Sequence, residues 1–263
     1  MIKLNGKVVD IGHFPDGSLL LKEDANITLF LEGALIEWFF ENNEELVALI
    51  YLTKHLRANG TVDIDLVMPY IPNSRMDRVK STSDVFTLKY FADIINSLGF
   101  NTVTVVDPHS SVSEALIDRL EVENGKMYIQ EAMAECEPDM LFFPDSGAMK
   151  RYSEIIKYPY CFGIKRRNWE TGKIEGLDVV GEVEQVKDKN ILIVDDICSR
   201  GGTFLHSARK LKELGANKIY LYVSHCENTI LEGELLEGDL IEKVFTTNSI
   251  FTKHHEKIEV CDV

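Results

Sequence analysis

The segment ILIVDDICSRGGTFLHSARKL, residues 191–211, limits what this chain can fold into more than any other stretch. Its apolar start, rich in β-branched residues, reads as a strand buried on both faces, and such strands belong to parallel sheets covered by helices. The run ends in two adjacent carboxylates, Asp195 and Asp196, and a short loop through Ser199, Arg200, Gly201, Gly202 and Thr203 leads straight into an amphipathic helix. In an open parallel sheet the ligand crevice lies beyond the carboxyl ends of the strands, so these side chains point into a site. Gly201 and Gly202 let backbone N–H groups approach a ligand closely, Thr203 adds a hydroxyl, and the helix N-terminus carries positive dipole charge. Together these features suit a phosphate monoester. The two carboxylates can accept hydrogen bonds from vicinal sugar hydroxyls or hold a magnesium ion. An ordinary strand-to-helix turn with solvated Asp residues is the plainer alternative, but it does not account for strand, Asp pair, Gly pair and helix coinciding.

The rest of the chain alternates in the same way. Strands are expected at 63–70, 101–107, 139–145, 159–164, 190–196 and 218–225. Helical stretches at 41–60, 85–100 and 202–216 lie between them, each closed by a Gly at or near its C-terminal end. This is the pattern of an α/β protein built on mainly parallel sheets. The segment around Asp65 to Tyr70, with Arg75 and Arg78 downstream, echoes Asp139 to Asp145 with Lys150 and Arg151 downstream. The echo implies two similar halves meeting within 122–138, where turn chemistry clusters, and the division is set at 1–125 and 126–263. Buried parallel strands also resemble one another without any repeat.

Composition narrows the partners. With 43 acidic and 28 basic residues among 263, the formal charge is −15, and no basic run exceeds Lys165-Arg166-Arg167. Such a field repels polyanions, so neither nucleic acid nor an anionic membrane surface is an expected partner. No apolar stretch reaches the roughly 18 residues of a membrane span, and MIKLNGKVVD lacks the apolar core of a signal peptide, so a cytoplasmic location is expected. The five cysteines are odd in number and neighbouring ones stand at least 25 residues apart, which suggests buried or incidental thiols.

Loop 195–203 resembles the phosphoribosyl-pyrophosphate (PRPP) binding loop of type I phosphoribosyltransferases and of ribose-phosphate pyrophosphokinases. Other segments favour the pyrophosphokinases. MPYIPNSRMDRV (68–79) is similar to their adenine-contacting stretch and matches at Arg75 and Asp77. TVVDPHSS (104–111) resembles their Asp-Leu-His segment, which implies a place for His109 beside the ATP phosphates and magnesium. FFPDSGAMKRY (142–152) resembles the element whose Asp, here Asp145, helps bind that metal. FGIKRR (162–167) resembles the start of the catalytic loop and implies transition-state roles for Lys165 and Arg167. GHFPDGS (12–18) resembles the segment that reaches ATP from a neighbouring subunit, matching at Phe14 and Asp16. Taken singly, His109 and Asp145 read as capping or turn residues, Lys165 to Arg167 as a solvated turn and Phe14 as core. Their order along the chain carries the resemblance.

The resemblance implies two phosphoribosyltransferase-like (type I) domains and transfer of the diphosphoryl group of Mg-ATP to ribose 5-phosphate, giving PRPP and AMP. It also implies a homo-oligomer, at least a dimer. The family loop reads Asp-Asp-x-x-Asp-Thr-x-Gly-Thr, whereas Ser199 and Arg200 stand here where Asp-Thr would. One acidic partner of the ribose is lost and a guanidinium gained, which can bind a second phosphate bidentately and so admit ADP-ribose as acceptor. Ser18 replaces a Glu and Met76 a Gln in the ATP segments. The first strand and helix of the family are not recognised before Phe14, nor its final helix after 263, which puts the family's hexamer and allosteric sites in doubt. A PRPP-consuming phosphoribosyltransferase and a catalytically silent, nucleotide-binding homologue remain alternatives.

Overall fold

The computed structural model of the chain describes residues 1–22, 33–167 and 174–263, with residues 165–167 and 174–175 as backbone alone. The chain divides into two compact units, Met1–Asn124 and Gly125–Val263.

The first unit holds strands β1 (Ile2–Leu4), β2 (Lys7–Val8), β3 (Asp10–His13), β4 (Leu19–Lys22), β5 (Ala34–Trp38), β6 (Ile64–Val67), β7 (Val103–Val106) and β8 (Leu120–Glu123). Helices α1 (Glu44–Ala58), α2 (Thr87–Ser97) and α3 (Ser111–Leu116) connect the later ones. Its sheet runs β2-β1-β5-β6-β7-β8, parallel from β5 onward, while β1 pairs antiparallel with β2 and β5. β3 and β4 form a separate antiparallel hairpin. Sequence reading assigned no element to residues 1–38, and these strands are too short for a periodic signal to stand out.

Helix α1 shows how the core is made. Ala48, Leu49, Leu52 and Leu56 are buried at helical spacing, together with the carboxylate of Glu45. That acid is satisfied by Trp38 Nε1 at 3.0 Å, the Glu41 N–H at 2.9 Å and the chain's own N-terminal ammonium, so its burial leaves no orphaned charge. The expected Gly stops hold: α1, α2 and α6 (Gly202–Glu213) are each followed two residues on by a Gly with φ of +94, +68 and +89°.

The second unit contains α4 (Lys126–Cys136), β9 (Met140–Phe143), α5 (Ser146–Ile155), β10 (Tyr160–Arg167), β11 (Ile174–Gly181), β12 (Ile191–Cys198), α6, β13 (Ile219–Cys226), β14 (Lys243–Thr247) and β15 (Ile258–Cys261). Its sheet order is β11-β10-β9-β12-β13-β14-β15, parallel throughout except for the β10–β11 pair. The chain steps from β9 outward to β10 on one side and later to β12 on the other. This is the reversal of strand order at which doubly wound sheets open a crevice. Both faces are covered, and Ile191, Leu192, Ile193 and Val194 are fully buried, as their unbroken apolar run requires.

β12 extends further than its sequence suggested. It passes through both carboxylates to Cys198, with Ile197 paired to His225 and Cys198 to Cys226 on β13. Asp195 and Asp196 therefore lie inside the strand, on alternate faces, and not at its end. None of the five cysteines is in a disulfide, and four are buried. Burial holds the thiols of Cys136 and Cys161 up at about 12, which makes them inert. Among the described residues no helix is long and apolar enough to cross a membrane.

Candidate functional site

The reversal between β9 and β12 gathers charge. Asp145 follows β9 directly, and Asp195 and Asp196 lie near the carboxyl end of β12. Asp145 is the N-cap of α5, its Oδ1 accepting from the N–H groups of Gly147 at 3.0 Å and Ala148 at 3.1 Å. Asp196 is buried and faces Arg151 on α5, with Oδ2 3.3 Å from Nη1. Asp195 is half-buried, and its carboxyl is held well above the usual carboxylate range. Desolvation is the main cause, followed by the like charges of Asp196 and then Asp145. Three carboxylates so placed form a site that favours a cation or the hydroxyl donors of a sugar.

The loop that follows is fixed by a second wall, residues 227–235, that sequence reading did not single out. Gly201 takes φ of +77°, and a Cβ there would lie 2.7 Å from Cβ and Cδ2 of Leu235. Gly233 sits so close under Arg200 that a Cβ would enter the Arg200 carbonyl. Ser199 Oγ is 3.1 Å from Thr229 Oγ1, and the Glu227 N–H donates to the Cys198 carbonyl at 2.8 Å. Arg200 is exposed and pairs with Glu232, Nη2 to Oε2, at 2.7 Å. Gly202, the first residue of α6, is exposed, and no atom lies within 4 Å of where its Cβ would be. Thr203 follows, half-buried, in the first turn of the helix. The signal for this wall was faint: a Gly at 233 and a polar Glu-Asn-Thr at 227–229 after an apolar strand.

The remaining sequence candidates fall as follows. Lys165 and Arg167 lie on the β10 backbone, paired with β11, but their side chains are outside the described residues. Arg75, Asp77 and His109 are in the first unit, on the loops after β6 and β7 at the carboxyl rim of its sheet. The loop after β6 is tied to the end of β7 by the Val106 N–H, which donates to the Pro69 carbonyl at 3.0 Å. Arg75 is exposed, His109 half-buried, and Asp77 is ion-paired to Arg78 at 3.2 Å. Asp107, two residues before His109, is buried with φ of +40°, a left-handed strain typical of built sites. Phe14 and Asp16 occupy the tip of the β3–β4 hairpin. Phe14 is 49% exposed, so it is not a core residue of this chain. Asp16 accepts from the Ser18 hydroxyl at 2.6 Å and the Ser18 N–H at 2.9 Å, and those bonds lower its pKa.

Magnesium is the metal the resemblance implies. Among the described residues no three acidic, His or Cys side chains have the spacing of a complete metal cage. The carboxylate oxygens of Asp145, Asp195 and Asp196 nevertheless fit a hard cation that takes one or two protein carboxylates and fills its shell with water and substrate phosphate.

A doubly wound sheet with an acidic pair and a glycine loop at its reversal point defines the phosphoribosyltransferase type of fold. Residues 170–263 match the phosphoribosyl synthetase-associated domain. Over 257 residues the chain is 29% identical to a ribose-phosphate pyrophosphokinase of Thermococcus kodakarensis, covering 93% of this chain and 86% of that one. It is 28% identical over 263 residues to a ribose-phosphate pyrophosphokinase of Aquifex aeolicus, covering 96% and 83% respectively. A crystal structure of phosphoribosylpyrophosphate synthetase from Mycobacterium smegmatis shares the fold, with a TM-score of 0.78 at 19% identity over 97% of this chain and 86% of that one. Over more than nine-tenths of its length the chain is therefore similar to ribose-phosphate pyrophosphokinases, and its fold is that of the synthetase structure.

Proposed function

We propose that the chain transfers the β,γ-diphosphoryl group of Mg-ATP to the anomeric hydroxyl of ribose 5-phosphate, giving PRPP and AMP. The anomeric oxygen attacks the β-phosphorus, the bond from that phosphorus to the α,β-bridging oxygen breaks, and the hydroxyl proton leaves to solvent. The observation that carries this reading is the juxtaposition, within one unit, of the carboxylates of Asp145, Asp195 and Asp196 with an open glycine loop at a helix N-terminus. Asp195 and Asp196 are assigned the ribose hydroxyls, and loop 199–203 the 5-phosphate.

Such a transfer mainly needs positioning and positive charge around the equatorial oxygens. Lys165 and Arg167 are assigned that charge, with Arg75, Asp77 and His109 on the nucleotide. Magnesium, for which Asp145 is the assigned carboxylate, would neutralise charge on the triphosphate. Phe14 and Asp16, exposed on a hairpin tip, suit a reach into a neighbouring subunit's nucleotide site, which makes the working form at least a dimer.

A second acceptor, ADP-ribose, is favoured by Arg200 at the mouth of the phosphate loop, where its exposed guanidinium could meet a second phosphate. The deciding experiment incubates the protein with ATP, magnesium and either ribose 5-phosphate or ADP-ribose, and identifies products by mass. AMP with pyrophosphorylated ribose 5-phosphate is the expected result, and AMP formed only with ADP-ribose moves the assignment to that acceptor. AMP formation without any nucleobase excludes a PRPP-consuming transferase, whereas its absence with every ribose phosphate leaves a silent homologue.

A further inference from the structure

The wall at 227–235 contains a hydrogen-bond chain whose direction can be worked out. Thr229 Oγ1 donates to Glu227 Oε2 at 3.0 Å and lies 3.1 Å from Ser199 Oγ. A hydroxyl carries one proton, and an ionised carboxylate only accepts. Thr229 gives its proton to Glu227, so in the second bond its oxygen must accept, and the donor must be Ser199. Ser199 thereby commits its proton to the wall and keeps only lone pairs for the site.

We propose that Glu227 and Thr229 are positioning residues that make Ser199 an acceptor for a ribose hydroxyl. This rests on the transferase reading above and refines it, since it removes Ser199 from the phosphate. A phosphate oxygen gains nothing from a hydroxyl that has no proton to offer, so the 5-phosphate falls to the amides of 200–203 and to Thr203. A sugar hydroxyl, which donates, is matched. The family pattern carries an Asp at this position, a group that can only accept when ionised. The relay gives Ser199 the same polarity without a fourth carboxylate beside Asp145, Asp195 and Asp196, where desolvation and then the like charges of its neighbours already raise the pKa of Asp195. The charge sits one residue outward, on Glu227, and reaches the site through two neutral hydroxyls.

The test compares wild type, Thr229→Val, Thr229→Ser and Ser199→Ala in AMP release with ribose 5-phosphate and with its 2-deoxy and 3-deoxy analogues. Thr229→Val lets the Ser199 hydroxyl turn, and Ser199→Ala removes it. Both are expected to narrow the preference for the full ribose over one of the deoxy sugars at least fivefold in kcat/KM, while Thr229→Ser keeps the wild-type preference. A wall that merely braces the loop would lower kcat/KM on all three sugars alike. That result, or an unchanged preference, overturns the proposal. Calorimetric binding of the same sugars carries the same comparison without turnover. Wild type that binds the sugars with the expected discrimination yet releases no AMP refutes the transferase reading and leaves the relay standing; wild type that does not bind them refutes both.

Discussion

Gly201 and Gly202 are adjacent in sequence and identical in composition, yet Ala should act oppositely at the two positions. At Gly201 two penalties combine. The φ of +77° is left-handed and costs an L-residue about 1–2 kcal/mol. The new Cβ would stand 2.7 Å from two atoms of Leu235, itself 1% exposed, and overpacking of this kind costs about 1–3 kcal/mol. Gly201→Ala should therefore lose about 2–5 kcal/mol of stability if both act in full. Gly202 lies in the first turn of α6 without a positive φ and with nothing within 4 Å of its Cβ position. There Ala should be neutral or stabilise by about 0.4–1 kcal/mol through the unfolded chain. That open space is also where the 5-phosphate is assigned to approach the amides, and a methyl there should raise the acceptor KM about tenfold, or 1.4 kcal/mol. Chemical denaturation of both variants, with acceptor KM from AMP release at saturating ATP, reads the two effects separately. Gly202→Ala with wild-type stability and wild-type KM would refute the placement of the phosphate. Gly201→Ala as stable as wild type would refute the packing of loop against wall.

Three further outcomes follow from the same geometry. Lys165→Ala should lower kcat about 10²–10³-fold with ATP affinity nearly unchanged, and near wild-type turnover would remove it from the reaction. Glu232→Gln releases Arg200 from an exposed pair of modest strength, about 0.2–1 kcal/mol, so the kcat/KM ratio of ADP-ribose to ribose 5-phosphate should rise a few-fold. An unchanged ratio would mean Arg200 does not read the 5′ substituent. Asp195 has a raised pKa in the folded chain, so its contribution is favourable below the ordinary carboxylate pKa and is lost as pH climbs through the raised value. Without divalent cation, Asp195→Asn should therefore melt higher than wild type at neutral pH, with the gap closing in acid. A gap that widened in acid would contradict the sign.

The sequence made the second unit's centre legible because its features are local. A buried parallel strand, an acidic pair and a glycine loop entering a helix all lie within residues 191–211, and each has its own short-range signature. The three Gly stops were readable for the same reason. The edges were not. Strands β1 to β4 span two to four residues each, β8 is largely exposed, and β14 and β15 take their place from pairing, β14 on β13 and β15 on β14, rather than from their own periodicity. Burial of Glu45 could not be foreseen, because Trp38 and the N-terminus that satisfy it are distant or outside any helix pattern. The wall at 227–235 stayed hidden because its partners, Ser199 to Gly201, lie about thirty residues away in sequence and no spacing rule links them. Arg151 was visible only as part of a motif. Its pairing with Asp196 depends on α5 crossing the face of β12.

The course of β12 through its two acids gives them separate lives. Asp196 is buried against Arg151 of α5, while Asp195, less buried along the strand, is pressed first by desolvation and then by the charges of Asp196 and Asp145. Twin residues that a reader of the sequence would treat as interchangeable are thus anchored to different neighbourhoods. Drift in α5 would reach the two by different routes, through the Arg151 ion pair at Asp196 and through the charge of the helix's own cap, Asp145, at Asp195.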